Sequence, residues 1–269
     1  MTIVEPTPTV ADAGWMDQWR RWRADRERDL RDPHGWLSLT GLHWLGSEPV
    51  AIDGLPGRWS AGPSGVTVRA AGADGLRLHG EPIDGTIRVE PVDGAPGPRV
   101  TAGDVRIELI RRGGRFALRV RDPRSATLAR FTGVPTFPPD DGWVLSGRFR
   151  PYDGPRPVTV GSVVDGLTHT LAARGIVRSA WNGAEFALTA FGSGDELRLT
   201  FRDATSGVTT YAAARSLIVP APGPDGRVVL DFNRAVNLPC AFTGYATCPL
   251  PPAENVLPFA VEAGEKAPR

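Results

Sequence analysis

The sequence predicts a mainly β protein: an antiparallel β barrel or sandwich of short strands, with an N-terminal α-helix and an extended Pro-rich C-terminal segment. Three observations carry this. The 269 residues include 32 glycines and 26 prolines, and both residue types disfavour helix interiors. Tight-turn signals recur at Asp53-Gly54, Asp74-Gly75, Asp84-Gly85, Asp93-Gly94, Gly113-Gly114, Asp165-Gly166, Asn182-Gly183, Ser206-Gly207 and Asp225-Gly226. Pairs of this kind supply the positive φ angles that hairpins require. Between them lie short runs of alternating apolar and polar residues, the period of a strand with one buried face.

In chain order, residues 1–12 are rich in Thr and Pro and are expected to form a disordered tail. A helix over 13–32 follows. Trp15, Trp19 and Trp22 fall at i, i+4 and i+7, with Leu30 beyond, making one apolar stripe among Arg, Asp and Glu. Asp32-Pro33 and Gly35 stop it, because the residue before proline leaves the α region and glycine suits a C-terminal cap. The stripe predicts a helix docked on a β core. Gly35-Trp-Leu-Ser-Leu-Thr-Gly-Leu-His-Trp-Leu then reads as an extended entry into that core.

Residues 105–110 and 116–120 flank Gly113-Gly114 as the clearest hairpin, and further strands are expected at 185–191, 197–201, 217–219 and 228–232. Pro239, Pro249, Pro251, Pro252 and Pro258 make the last stretch stiff and extended, unsuited to a central strand. Phe242, Tyr245, Leu250, Leu257 and Phe259 give it apolar anchors, so it is expected to lie over a sheet or across a barrel mouth. The reading is of one β-rich domain over 13–265, with a tail at 266–269.

Composition excludes several functions. The net charge is +1, from 31 basic and 30 acidic residues, which is not the signature of a nucleic-acid binder. Only Lys266 among the basic residues is lysine, and its place in the expected tail argues against Schiff-base chemistry on a buried amine. Strands do not alternate with helices and no glycine-rich strand-to-helix turn occurs, so a nucleotide-binding α/β fold is out. No window is long and apolar enough for a membrane span, and no signal peptide is visible at the start. A cytoplasmic location is expected, with Cys240 and Cys248 as reduced thiols.

The standard catalytic motifs are absent: no Gly-x-Ser-x-Gly elbow, no phosphate loop and no His-Glu-x-x-His. His34, His43, His79 and His169 show no ligand spacing, and Cys240 and Cys248 are separated by seven residues, unlike a zinc knuckle. No metal and no cofactor is expected. As a nucleophile Cys240 lacks a neighbouring base in sequence.

Two segments are chemically dense. In the first, Asp203, Thr205 and Ser206 form an acceptor-rich turn, and Tyr211 and Arg215 follow at an even spacing. On one strand face they would offer a phenol and a guanidinium fork to a carboxylate or phosphate. In the second, Asp231, Asn233, Arg234, Asn237, Glu254 and Asn255 sit among apolar residues around Cys240 and Cys248. Such groups either line a cavity or act as hydrogen-bonding pegs that fix irregular chain.

At these residues the sequence resembles the bacterial and archaeal domain-of-unknown-function family 1684. The likeness is carried by Gly35-Trp-Leu-Ser-Leu-Thr-Gly-Leu-His-Trp-Leu and by Phe201-Arg-Asp-Ala-Thr-Ser-Gly with Thr210, Tyr211 and Arg215. A third motif runs from Asp231-Phe-Asn-Arg-Ala through Cys240, Cys248-Pro-Leu-Pro-Pro and Glu254-Asn255 to Ala263-Gly-Glu-Lys. The likeness is expected to run from the tryptophan helix to that end. The chain departs from the family pattern at Val236, where a tyrosine is usual, and at Leu238. It departs again at the alanines of 212–214, where glycines are common, and at Ser216, where the family has a bulky aromatic. The resemblance implies where a site lies rather than a reaction.

The resulting expectation is a pocket for a small anionic ligand. Arg215 would pair with the charge, Tyr211 would hydrogen-bond or stack, Asn233, Asn237, Cys240 and Asn255 would line the site, and the Pro-rich segment would close its mouth. The alternatives are a cofactor-independent hydrolase with Glu254 or Asp203 as general base, and an interaction module that uses the Pro-rich segment. The expected partner is a small molecule, not nucleic acid or membrane; the oligomeric state is left open.

Overall fold

The computed structural model describes residues 14–192 and 194–268. The tail expected at 1–12 lies outside them. The chain divides into two compact units. The larger comprises Met1–Glu27, Thr132–Ala241 and Cys248–Arg269, and the smaller comprises Arg28–Phe131 and Phe242–Thr247.

The smaller unit carries ten strands: β1 (Leu39–Trp44), β2 (Val50–Ile52), β3 (Leu55–Gly62), β4 (Gly65–Ala70), β5 (Leu76–Leu78), β6 (Glu81–Pro82), β7 (Gly85–Val89), β8 (Arg99–Ala102), β9 (Val105–Arg112) and β10 (Arg115–Arg121). They form two open antiparallel sheets, ordered β1-β10-β9-β8-β5-β6 and β2-β3-β4-β7. One apolar cluster draws Val100, Ile107, Leu109 and Leu118 from the first sheet and Trp59, Val66 and Val68 from the second. Both sheets therefore contribute to one shared core.

The hairpin expected around Gly113-Gly114 is β9–β10, with φ of 56° and 77° at the two glycines. Each of the other expected turn pairs likewise carries a glycine at positive φ. In β9–β10, Leu109 lies opposite Leu118 and Glu108 opposite Arg119. The two-residue period sends the leucines into the core and turns Glu108, Arg112, Arg119 and Arg121 to the other face. The extended entry begins later than the sequence suggests. Trp36–Ser38 is a 3-10 turn, closed where Ser38 N and Oγ both donate to Gly35 O, and the strand starts at Leu39.

In the larger unit α1 (Trp15–Leu30) contributes its residues up to Glu27. The strands are β11 (Val144–Gly161), β12 (Thr168–Trp181), β13 (Ala184–Ala190), β14 (Glu196–Phe201), β15 (Arg215–Pro220), β16 (Arg227–Asp231) and β17 (Val236–Asn237). They make two antiparallel sheets, β13-β12-β11-β16 and β14-β15-β17. Among the described residues no sheet closes into a barrel. One cluster takes Phe149, Val177, Leu188 and Leu230 from the first sheet and Leu197, Leu199, Phe201 and Leu217 from the second. Leu257, Val261 and Ala263 of the C-terminal segment are buried in the same cluster. Phe259 stacks on Trp181 at 4.9 Å and Trp181 on Trp143 at 4.7 Å.

Two attachments frame the site. The tryptophan stripe of α1 reaches the turn after β16: Trp15 Nε1 donates to Asp231 Oδ2 at 2.9 Å and Trp19 Nε1 to Asn233 O at 3.1 Å. The end of the chain is tied back, since Lys266 N donates to Pro135 O at 2.8 Å and its ammonium lies 4.5 Å from the Phe137 ring centre. Among the described residues no helix is long and apolar enough to cross a membrane.

Candidate functional site

The residues named from the sequence are brought together in groups, and most act on backbone. Asp231 caps the 3-10 turn Phe232–Arg234: its Oδ1 accepts from Asn233 N at 3.1 Å and from Asn233 Nδ2 at 3.0 Å. Asn233 in turn mimics a peptide, accepting from Asp140 N at 2.9 Å and donating to Asp140 O at 2.8 Å. Asn255 uses the same device between strands. Its Oδ1 accepts from Thr189 N at 2.7 Å, while Nδ2 donates to Thr189 O and Thr200 O, both at 2.9 Å. A primary amide can do this because it carries both halves of a backbone hydrogen bond on one planar group.

Arg215 opens β15 with its side chain 1% exposed. One Nη donates to Asp203 Oδ2 at 2.8 Å and to Val261 O at 2.9 Å; the other reaches Ala263 O and, at 3.4 Å, Glu265 O. Carbonyls at 261, 263 and 265 repeat every second residue, the period of extended chain, so one fork grips one side of the C-terminal segment. Asp203 is saturated as well: Oδ1 accepts from Thr205 N, Thr205 Oγ1 and Val261 N at 2.8, 2.6 and 3.1 Å. Burial pushes the Arg215 guanidinium below its usual range, against the pull of Asp203. Asn237 completes the grip. Its N–H donates to Glu265 Oε2 and its Nδ2 to Lys266 O, each at 2.7 Å, and Glu265 also takes Arg23 at 3.2 Å and Arg26 at 3.0 Å from α1.

Tyr211, Cys240 and Cys248 form a different group. Tyr211 Oη donates to Cys240 O at 2.9 Å, and Cys240 N donates to Cys248 Sγ at 3.3 Å. Neither sulfur is in a disulfide; Cys240 is partly exposed and Cys248 buried. Hydrogen bonding by the Cys248 side chain, outweighing burial and helped by Tyr211, holds the Cys240 thiol below its ordinary value. Burial, with the nearby Cys240, pushes the Tyr211 phenol up to about 12.

Glu254 lies at the edge of the Asn255 group, through Thr189. It is exposed and accepts from Thr189 Oγ1 at 3.1 Å. A surface depression of about 440 Å³ in the larger unit is lined by Arg178, Ser179, Ala180, Glu185, Phe186 and Ala187, none of them a residue singled out from the sequence. Among the described residues no group of three or more His, Cys, Asp or Glu side chains could hold a metal ion.

The smaller unit holds a cluster that the sequence reading missed. Glu108, Arg112, Arg119 and Arg121 are all buried, on the face of β9–β10 opposite the core. Arg119 Nη1 and Arg121 Nη2 approach Glu108 Oε2 at 3.4 and 3.1 Å, and both guanidiniums lie over the Trp36 ring, 5.2 and 5.0 Å from its centre. Arg121 Nη1 donates to Gly35 O at 2.8 Å and His34 O at 3.1 Å, and Arg112 Nη1 to Ala95 O at 3.0 Å. Arg119 makes the longest contacts: besides Glu108 it reaches Thr247 Oγ1 at 3.3 Å, and its buried Nε, like that of Arg121, has no hydrogen-bond partner. Burial pushes the Glu108 carboxyl up, but Arg119 and Arg121 outweigh it and hold the group below the usual range. Arg119 is itself lowered, by burial first, with Glu108 opposing and Arg112 and Arg121 adding like-charge repulsion. The available signal was charge at i, i+2 or i, i+4 within strongly apolar strands.

The family model described as a protein of unknown function, DUF1684, matches residues 129–266, just over half of the chain. The chain belongs to the DUF1684 family. No curated protein matches it. It is similar to the uncharacterized protein of Haloarcula marismortui whose solution NMR structure is known, at 28% identity over 51% of this chain and 78% of that one, with a TM-score of 0.44. The DUF1684 match is narrower than the resemblance suggested. It contains the motifs around Asp203 and Asp231 but not the Gly35–Leu45 stretch, nor Glu108, Arg119 and Arg121. Ser216 of β15 lies directly opposite Val236 of β17.

Proposed function

We propose that the protein binds a small anionic ligand and that the guanidinium of Arg119, flanked by Arg112 and Arg121, takes it. The observation that supports this is the imbalance around Glu108, where buried Arg119 and Arg121 share one carboxylate beside buried Arg112, and Arg119 makes hydrogen bonds only of 3.3 and 3.4 Å. Buried charge is ordinarily paired, and a guanidinium with spare donors is matched by a carboxylate or phosphate. This reading keeps the ligand class expected from the sequence and moves its centre away from Arg215, Tyr211 and Asn233. Arg215 and Asn233 have backbone or carboxylate partners of their own. A hydrolase has less support: Asp203 is neutralised by Arg215, and Glu254 is exposed beside Thr189.

The test is a thermal shift with sulfate, phosphate and small di- and tricarboxylates, against chloride at equal ionic strength. A bound anion stabilises the native state according to its concentration over Kd. Wild type should gain Tm with at least one of these anions, whereas Arg119→Met should fold and gain none. No shift in wild type, or an equal shift in Arg119→Met, would overturn the reading.

A further inference from the structure

The sulfurs of Cys240 and Cys248 have no role in the anion site proposed above. Their backbones are held firmly. Pro239 precedes Cys240 and Pro249 follows Cys248. The Cys240 carbonyl accepts from Tyr211 Oη at 2.9 Å, and the Cys248 carbonyl accepts from Val163 N at 3.0 Å and Ser162 Oγ at 3.2 Å. The Cys240 N–H points at Cys248 Sγ from 3.3 Å, so the second sulfur sits against the first cysteine's own backbone. Exposure is unequal: Cys240 is partly open to solvent and Cys248 is buried. That asymmetry divides the roles, because a peroxide reaches the exposed thiol first while the sheltered one resolves the product.

We infer that Cys240 and Cys248 form a two-electron redox pair, with Cys240 as the peroxide-reacting thiol and Cys248 as the resolving thiol. The co-reactant is a hydroperoxide. The Cys240 thiolate attacks one peroxide oxygen, the O–O bond breaks, and the other oxygen takes a proton and leaves as water or an alcohol. Cys240 is then a sulfenic acid. The Cys248 sulfur attacks the Cys240 sulfur and the S–O bond breaks. The departing hydroxide takes the Cys248 proton and leaves as water. Two thiols have become one disulfide, and one peroxide has been reduced.

Intact-mass spectrometry and thiol titration of wild-type protein before and after brief hydrogen peroxide treatment test this without any variant. The expected result is a monomer lighter by two hydrogens, with both titratable thiols lost and both restored by dithiothreitol. In Cys248→Ser the resolving sulfur is gone, so Cys240 should accumulate as a sulfenic acid that dimedone captures. In Cys240→Ser, Cys248 should stay unoxidised under the same treatment. The inference fails if wild type keeps both thiols, if its disulfide joins two molecules, or if dimedone labels Cys248 in preference to Cys240. These outcomes are independent of anion binding, so failure here leaves the Arg119 reading standing and the reverse also holds.

Discussion

Arg215 Nη2 lies 2.8 Å from Asp203 Oδ2, with the two side chains 1% and 0% exposed, and the same guanidinium holds three carbonyls of the C-terminal segment. This ion pair is a clamp on the chain. The carboxylate neutralises the charge that burial penalises, while the remaining donors satisfy carbonyls of the C-terminal segment, which lies outside the named strands. Arg215→Ala would leave Asp203 buried and unpaired, and should lower unfolding stability by about 3–5 kcal/mol. Arg215→Met with Asp203→Asn should lose less than the two single changes together. Urea unfolding of the four proteins measures the cycle, and additive losses would contradict the clamp.

Asn255 supports a sharper comparison. Its amide spans Thr189 of β13 and Thr200 of β14, with each N–H on a carbonyl. Asn255→Asp keeps the size and replaces both donors by acceptors facing those carbonyls. Leaving buried groups unsatisfied costs about 1–3 kcal/mol each. Asn255→Asp should therefore destabilise more than Asn255→Ala at neutral pH, and the gap should narrow in acid as the new carboxyl takes up a proton. Thermal melts at two pH values decide it.

What could be read from the sequence follows from range. The Gly113-Gly114 hairpin and the stripe of Trp15, Trp19 and Trp22 are local patterns, and both appear as elements in the structure. The long pairing of β11 with β12 was hidden, because Pro151, Gly154, Pro155 and Pro157 read as breakers. Gly154 and Pro155 fall where the register shifts between Pro151 and Arg156, Pro157 pairs with Ala172, and the whole stretch pairs with β12 alone, so one backbone edge needs no donor. Arg215 reads as a fork for a ligand anion; in the structure it holds Asp203 and carbonyls 46, 48 and 50 residues away, which no local rule supplies. Arg119 was missed for a related reason. Alternation assigns a strand's charged face to water, and whether that face is buried depends on residues as distant as Trp36 and Thr247.

The phenol of Tyr211 carries a prediction at alkaline pH. Burial raises it from 10.0 to about 12, so the folded state holds its proton where the unfolded chain releases it. The sign follows: this contribution to stability is complete below the ordinary tyrosine value and is lost as pH rises through the folded one. Tyr211 should ionise late in an absorbance titration. Tyr211→Phe should remove that late step and flatten the fall of Tm above the ordinary tyrosine value. A late step that survives in Tyr211→Phe would assign it elsewhere.

Glu108 gives the corresponding prediction in acid. Although burial alone would raise its carboxyl, Arg119 and Arg121 hold it below the ordinary glutamate value. A depressed carboxylate stabilises the fold above its unfolded value, and that stability is lost as pH falls through the folded one. Glu108→Gln removes the titration and the carboxylate that Arg119 and Arg121 share, leaving Asp93 near Arg112 as the remaining opposite charge. The variant should be less stable than wild type at neutral pH, by about 3–5 kcal/mol for a broken buried pair, and its stability should vary less with pH below the glutamate range. Sulfate or phosphate should then restore more Tm to Glu108→Gln than to wild type, because an anion can replace the missing carboxylate among the three guanidiniums. Equal restoration in both proteins would mean that the arginines do not share one anion.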